Sequence, residues 1–492
     1  MKQKADIGNI LFCIVLAMLY VSIFSFSTSP FYSNQRLDDS NYFFLIGRGW
    51  LNGQLPYVDF FDNKGPFIYL INAMGFALTG NKYGIYVIQI ITNSLTFYFC
   101  LRILQQRYSR PISLALTSLI ALGLSIMTEG GNAVEEYVLP LIVLSFGYFY
   151  RWGHQTKSDT VPTPHPSNWA FVYGIIFSLC LTTRLANALG LFAGIAVIVC
   201  YLIYKRLWKN LFHNAMTFLL GFCVILLPFV FYFGYKGALA DLWENTIVVG
   251  FSYLHRNVSR DELNLHDLIY RMLPFIYPFL LLCISWYLLF KEKNGKWCSA
   301  IWISAASALV IWYTLGGGYV HYGILTIAFI PIILLELDVI KEHSMRKVEL
   351  RFGRILSILF LTATLSGGIM RLYGATKGRP VDASLMEKYQ TMLSVIPPNE
   401  KKDFLAYECD PNIYYYCHLF PVKKYFLSQE FTFEVLHEQK QQILKDFEQP
   451  LVKWLLVEHY PRVSIRELLD QQYQLVKETG GTRLYRCKHS AS

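Results

Sequence analysis

The chain has 492 residues, of which 54% are hydrophobic and only 16% charged, whereas soluble domains carry about 25% charged residues. That composition excludes an ordinary water-soluble protein. A net charge of +10 does not mark a nucleic-acid partner either, because the basic residues lie between apolar runs and not in one tail or on one face.

Apolar runs of about 16 to 24 residues recur along the first three quarters of the chain, the length that crosses a hydrocarbon core roughly 30 Å thick at 1.5 Å per residue. In chain order, about eleven spans are predicted, near residues 9–28, 84–104, 112–127, 137–150, 169–183, 185–204, 213–233, 267–290, 297–314, 319–337 and 353–372. The first follows Lys2 and Lys4 and reads as a signal peptide or as a retained span; no convincing small-x-small site ends it, which favours the span. Basic clusters fall in alternate loops: Arg107 and Arg110, Arg151 and Lys157, Lys205 to Lys209, Lys291 to Lys296, and Lys341 to Arg354. The positive-inside rule makes those loops cytoplasmic, along with the N-terminus. The loops at 29–83, 128–136, around Arg184, 234–266 and around 315–320, and everything after 372, are then outside the cell membrane.

Two domains are expected: a membrane unit over 1–372 with a long first external loop at 29–83, and an extracytoplasmic α/β domain over 373–492. The tail alternates helical pieces (near 382–395 and 431–447) with strand-like runs at 403–407, 424–427, 451–457, 473–476 and 482–486, which favours a mainly parallel sheet. No glycine-rich phosphate loop follows any of those strands. Of the ten cysteines, seven fall in or beside apolar spans, while Cys409 and Cys417 are placed to form a bridge if the tail is extracytoplasmic.

Four places carry candidate chemistry. The first external loop, about 55 residues, is too long and too aromatic for a mere connection, and stretches such as Asn41 to Leu51 read as amphipathic interfacial pieces. It holds Asp38 and Asp39, which suit a hydroxyl-activating base or equally a helix cap. Lys64 suits a lipid phosphate or a snorkelling role, and Asp59, Asp62 and Tyr57 are further substrate contacts. The second place is T-E-G-G-N-A-V-E-E-Y, where Glu129, Glu135 and Glu136 would repel one another unless a cation, metal or substrate sat near. The third is Arg184, which interrupts an apolar run of about 36 residues. An Arg at a helix centre costs roughly 2.5 to 3.5 kcal/mol on insertion scales; the cost falls if the run breaks there into two spans, with the guanidinium facing a phosphate or a carboxylate of another helix, the alternative being one long helix. The last is G-G-G-Y-V-H-Y-G at 316–323, where Tyr319, His321 and Tyr322 suit a phosphate or sugar, or an ordinary aromatic belt.

With those residues in view, the chain resembles the GT-C class of polyprenyl-phosphate-sugar-dependent glycosyltransferases, of the protein O-mannosyltransferase and lipid A aminoarabinose transferase type. The likeness rests on D-D-S-N-Y-F-F-L-I-G-R-G-W-L-N-G-Q-L-P-Y-V-D with D-N-K-G-P, on T-T-R-L-A-N-A-L and on Y-V-H-Y-G-I-L. It implies a GT-C polytopic α-helical membrane fold, Asp38 as catalytic base with Asp39 as second member of the acidic pair, and Lys64 and Arg184 as ligands of the carrier phosphate. Where relatives often read Glu-Lys-Pro-Pro, this chain reads Asn63-Lys64-Gly65-Pro66 with the acid displaced to Asp62. Glu135 and Glu136 compete for the family's second acidic position.

The implied activity is inverting transfer of a sugar from a polyprenyl-phosphate donor to a hydroxyl of a glycan, lipid or protein at the outer face of the membrane, in cell-envelope glycan or glycolipid modification. No cofactor is required, and the glutamates leave a divalent metal open. Two rival classes are a lipid or solute transporter, which should show paired halves, and a phosphoglycerol-transferring or non-catalytic cell-wall assembly protein.

Overall fold

A computed structural model of the chain describes residues 7–32, 39–156, 162–254, 272, 275–291, 296–315, 319–343, 355, 358, 361–362, 364–373, 383–426, 429–448, 451–460 and 463–488. Its first nine helices are α1 (Ile7–Phe24), α2 (Asp39–Leu51), α3 (Pro66–Thr79), α4 (Tyr83–Leu104), α5 (Arg110–Met127), α6 (Val134–Gln155), α7 (Ser167–Leu181), α8 (Leu189–Tyr204) and α9 (Trp208–Tyr235). After two short helices at Leu239–Trp243 and Val249–Leu254 come α10 (Ile276–Lys291), α11 (Lys296–Leu315) and α12 (Phe329–His343), the last entered through a 3-10 helix over Val320–Ala328.

Among the described residues six helical segments are long and apolar enough to cross a membrane: Ile7–Phe24, Tyr83–Leu104, Arg110–Met127, Leu185–Tyr204, Trp208–Tyr235 and Val320–Val339. Pro66–Thr79, Ser167–Leu181 and Ile276–Lys291 are shorter apolar helices. The chain is a polytopic helical membrane protein. In the expected last span, 353–372, the described residues 355, 358, 361–362 and 364–372 are helical. Inside and outside helices differ in what they face. The apolar window of α9 is 17% buried, with Leu219, Leu220, Val224 and Phe231 exposed, whereas that of Val320–Val339 is 89% buried. A helix apolar all round yet exposed needs a non-aqueous solvent; the second is the centre of its unit.

The chain forms two compact units that do not follow chain order. The first comprises Met1–Phe31, Tyr86–Phe231 and Val258–Gly378, and the second Tyr32–Ile85, Tyr232–Asn257 and Arg379–Ser492. The long loop after α1 therefore shares a unit with the tail.

In the first unit α8 packs along α11, α10 along α11, and the 3-10 segment 320–328 fits between α5 and α6. The crossing of α7 and α9 depends on small residues from both sides. A Cβ on Gly174 would lie 2.0 Å from the Phe218 carbonyl oxygen, and one on Gly221 2.0 Å from that of Phe171. Backbones that close are held by dispersion, the driving force left to helices in lipid.

In the second unit α2 and α3 pack as a pair, and α2 also touches the short helix Asn412–Tyr416. Arg48 of α2 donates through Nη2 to the carbonyl oxygens of Tyr414 (2.9 Å) and Leu419 (2.5 Å), with its guanidinium 4.4 Å from the Phe420 ring centre. The Phe61 amide donates to Lys424 O at 2.9 Å. The tail carries β1 (Phe404–Tyr407), β2 (Trp454–Val457), β3 (Tyr473–Thr479) and β4 (Thr482–Cys487) in the order β1-β2-β4-β3.

The expectation of a mainly parallel sheet is corrected here. β1 and β2 pair in parallel, but β2 with β4 and β3 with β4 are antiparallel. The reason is local: Gly480 and Gly481, at φ 55° and 79°, occupy the two central positions of a tight hairpin between β3 and β4, and a two-residue loop with two positive φ angles joins antiparallel strands only. The expected strand at 424–427 is irregular over 424–426, with 427 outside the described residues. Cys409 and Cys417 are not bridged; the Cys409 thiol instead lies 3.4 Å from Tyr407 O and 3.5 Å from Leu456 O.

Candidate functional site

The first unit gathers seven of the predicted residues, Glu129, Glu135, Glu136, Arg184, Tyr319, His321 and Tyr322, around one end of α6. The apolar run breaks at Arg184, as its desolvation cost requires. Thr182 and Thr183 turn their hydroxyls back to the carbonyls of Ser178 and Leu179 at 2.8 and 2.7 Å, α7 stops at Leu181, and Arg184 stands extended before a 3-10 turn over Leu185–Ala188. Hydroxyls that satisfy i−4 carbonyls help a helix end without orphaned groups. Arg184 then donates from Nη1 to Glu135 Oε1 at 3.3 Å and from Nη2 to the Tyr322 hydroxyl, with its guanidinium carbon 3.7 Å from the Tyr322 ring centre. Glu135 sits in the first turn of α6, where the helix dipole favours a negative group, and is 1% exposed. Its Oε1 is paired, while Oε2 is buried without a hydrogen bond among the described residues.

The other two glutamates have different neighbours. Glu129 Oε2 lies 2.7 Å from His321 Nδ1. Burial opposes ionisation of Glu129, yet the hydrogen bond and charge of His321 outweigh it and hold the carboxyl below its usual range. Glu136 accepts from Gln89 Nε2 at 2.8 Å, and Gln89 Oε1 in turn takes the hydroxyl hydrogen bonds of Ser25 (3.1 Å) and Thr28. Three carboxylates close in sequence thus avoid mutual repulsion by facing an arginine, a histidine and an amide.

Tyr319, His321 and Tyr322 enter through the 3-10 segment that begins at Val320. Three residues per turn puts 319 and 322 on one face, and their rings meet edge to face at 5.4 Å; the His321 ring stands perpendicular to that of Tyr322 at 4.6 Å. Tyr319 is half exposed. Gly316 to Gly318 lie outside the described residues. Ala186, Asn187, Tyr322 and Thr326, with Pro278 and Leu309, line a narrow cleft beside this cluster.

Two contributors carried a weaker sequence signal. Arg371, at the end of the last apolar run, donates to Thr128 O next to Glu129. Gln89 is a buried amide, one turn before Asn93, deep in an apolar span, where an unpaired polar group would be costly; that cost is the available clue.

The second unit holds the residues of the long loop. Asp38 lies outside the described residues, and Asp39 is the exposed first residue of α2. Lys64 precedes Gly65 and Pro66, which start α3, Pro66 supplying the fixed φ of a first helical position. Its Nζ is 3.1 Å from Asn63 Oδ1. Tyr57 is 1% exposed, has φ 72° and donates its hydroxyl to Lys64 O at 2.7 Å. Asp59 Oδ2 accepts from the Leu55 amide at 2.5 Å and Asp62 Oδ1 from the Asn63 amide at 2.6 Å. Tyr57, Asp59 and Asp62 therefore shape the loop that presents Lys64.

This architecture, helices of a membrane unit with a long loop after the first helix and an α/β tail, is the GT-C fold. The chain belongs to the family described as putative competence-induced protein Ccs4 N-terminal domain, whose model matches residues 2–361. Among solved structures, ArnT from Cupriavidus metallidurans in the apo state is 14% identical with a TM-score of 0.58, covering 98% of each chain. The same protein bound to undecaprenyl phosphate gives 13% and 0.57 over 98% of each chain. The archaeal oligosaccharyltransferase AglB from Archaeoglobus fulgidus, in complex with an inhibitory peptide and a dolichol-phosphate, is 13% identical with a TM-score of 0.51, covering 98% of this chain and 74% of its own. No curated protein sequence matches the chain.

Proposed function

We propose that the chain is an integral membrane glycosyltransferase that moves a sugar from a polyprenyl-phosphate donor to an acceptor hydroxyl on the outer face of the membrane, in cell-envelope glycan or glycolipid modification. The observation that carries this reading is the Arg184 centre: a guanidinium at a helix break in an apolar run, held by Glu135 and Tyr322, with His321 of the same 3-10 segment as Tyr322 paired to Glu129 of the α5–α6 loop. Solved structures of the same fold, named above, hold undecaprenyl phosphate and dolichol-phosphate, which supports a lipid-linked donor here.

In this reading the acceptor oxygen attacks the anomeric carbon from the face opposite the phosphate, so the bond to the acceptor forms as the carbon–oxygen bond to phosphate breaks, with oxocarbenium character and inversion. The acceptor proton passes to Asp38, late, when partial bonding has made it acidic. The departing phosphate changes from diester to monoester and gains charge, which Arg184 and His321 stabilise, and the family resemblance implies the same role for Lys64. Asp39 completes the acidic pair, and Glu135 holds the Arg184 guanidinium in place. The scheme routes no step through a metal. The alternating basic loops support an orientation with the long loop and the tail outside the cytoplasm.

The test is transfer by the purified full chain from a panel of polyprenyl-phosphate sugars, with the anomeric configuration of the product read by NMR. Inverted product, lost in Arg184→Ala and Asp38→Asn, supports the reading. A retained configuration, or no transfer with any donor or acceptor class, overturns it.

A further inference from the structure

At the far end of α6 stands a second cluster that the proposed chemistry does not use. His154, 19 residues beyond Glu135 on the same helix and so about 28 Å from it by helical rise, has Nε2 3.0 Å from Glu336 Oε1 of α12. The Cys298 thiol of α11 lies 4.0 Å from the same oxygen. One ligand-type atom from each of the three residues falls within 4.8 Å of the others. Cys298 and Glu336 are buried, at 4% and 1% exposure, and Glu336 Oε2 has no hydrogen bond among the described residues. α6 admits this approach because its neighbouring position is Gly153, where a Cβ would come within 2.8 Å of Cys298 Sγ.

We infer that His154, Cys298 and Glu336 form a zinc site that fastens α6, α11 and α12 together. Thiolate, imidazole and carboxylate are the donors that zinc accepts, and the sulfur disfavours magnesium and calcium. Tetrahedral zinc with these donors separates its ligand atoms by roughly 3.4 to 3.6 Å, and the separations of 3.0 and 4.0 Å straddle that range. Binding through both carboxylate oxygens would satisfy the orphaned Oε2 and supply a fourth ligand atom. Charge also balances: one thiolate and one carboxylate neutralise a dication, whereas the same two anions buried without it would carry a desolvation penalty. On the positive-inside assignment this end is cytoplasmic, where thiols stay reduced.

The experiment uses the full chain purified without a histidine tag. Elemental analysis is expected to give about one zinc per chain, and zinc-edge X-ray absorption to show one sulfur at about 2.3 Å with nitrogen and oxygen scatterers at about 2.0 to 2.2 Å. Cobalt exchanged into the site should give sulfur-to-metal charge-transfer absorption that Cys298→Ser abolishes, and Glu336→Gln should weaken zinc binding by about tenfold or more. A metal shell without sulfur, a charge-transfer band unchanged in Cys298→Ser, or no retained or re-loadable metal overturns the site. The absorption measurement needs only the unaltered chain, so a variant that fails to fold does not shield the inference.

Discussion

Arg184, in the break between α7 and α8, and Glu135, 49 positions earlier in the first turn of α6, meet at 3.3 Å with Glu135 almost wholly buried. The pair explains how an arginine persists in an apolar run: the carboxylate and the Tyr322 ring replace water. It also leaves the guanidinium anchored, and an anchored cation answers a developing phosphate charge without reorganising.

Removing one partner of that pair should be worse than removing both. Arg184→Ala strands the Glu135 charge and is expected to destabilise the chain by about 3 to 5 kcal/mol. Combining it with Glu135→Gln should recover most of that loss in detergent thermal unfolding. Transfer should stay at least about a hundredfold low in the double variant. Recovery of turnover together with stability would make Arg184 structural only.

Asp38→Asn should lower turnover by about 10² to 10⁴, the range of a general base, with donor affinity little changed. Asp39→Asn, at the exposed start of α2, should cost less. Single-turnover transfer with a saturating donor separates the two, and unchanged turnover in Asp38→Asn would remove it from the mechanism.

The Glu129–His321 contact makes a signed pH prediction. The Glu129 carboxyl is held below its ordinary 4.5, so it binds a proton more readily unfolded than folded, and its contribution to stability is present above 4.5 and lost as pH falls through the lowered folded value. Glu129→Gln should therefore lower stability near neutrality and converge with the unaltered chain in acid, which flattens the acid limb of the stability profile. An acid limb identical to that of the unaltered chain would show that the pair does not carry it.

Arg48 ties α2 to the tail within the second unit. Arg48→Ala leaves the Tyr414 and Leu419 carbonyls without their charged donor, a loss of about 1.5 to 3 kcal/mol per charged hydrogen bond. Proteolysis of the full chain under native conditions should then cut first near 411–420. Arg48→Lys should restore only part of the protection, because a point charge cannot reproduce the guanidinium fork. Equal protection in all three chains would contradict the tie.

Much of this molecule is written in patterns of short range. The apolar runs predict the described spans because crossing a hydrocarbon layer demands about twenty apolar residues whatever their neighbours are. Arg184 marks its own helix break, since an unpaired charge inside a span is too costly, and Asn41 to Leu51 forms a helix as its amphipathic composition suggests. Gly480 and Gly481 mark a hairpin locally, and that turn, not the helix–strand alternation of the tail, sets the antiparallel direction of β3 and β4.

What tertiary structure alone decided is who faces whom. Nothing in T-E-G-G-N-A-V-E-E-Y says that Glu129 meets a histidine, Glu135 an arginine and Glu136 an amide, and nothing near Lys424 predicts that it would receive the Phe61 amide. His154, Cys298 and Glu336 are separated by well over a hundred residues at one gap and by 38 at the other. Pairings of that kind depend on how helices cross, and crossings are set by side-chain packing over whole helix faces, such as the contact at Gly153, which no local periodicity encodes.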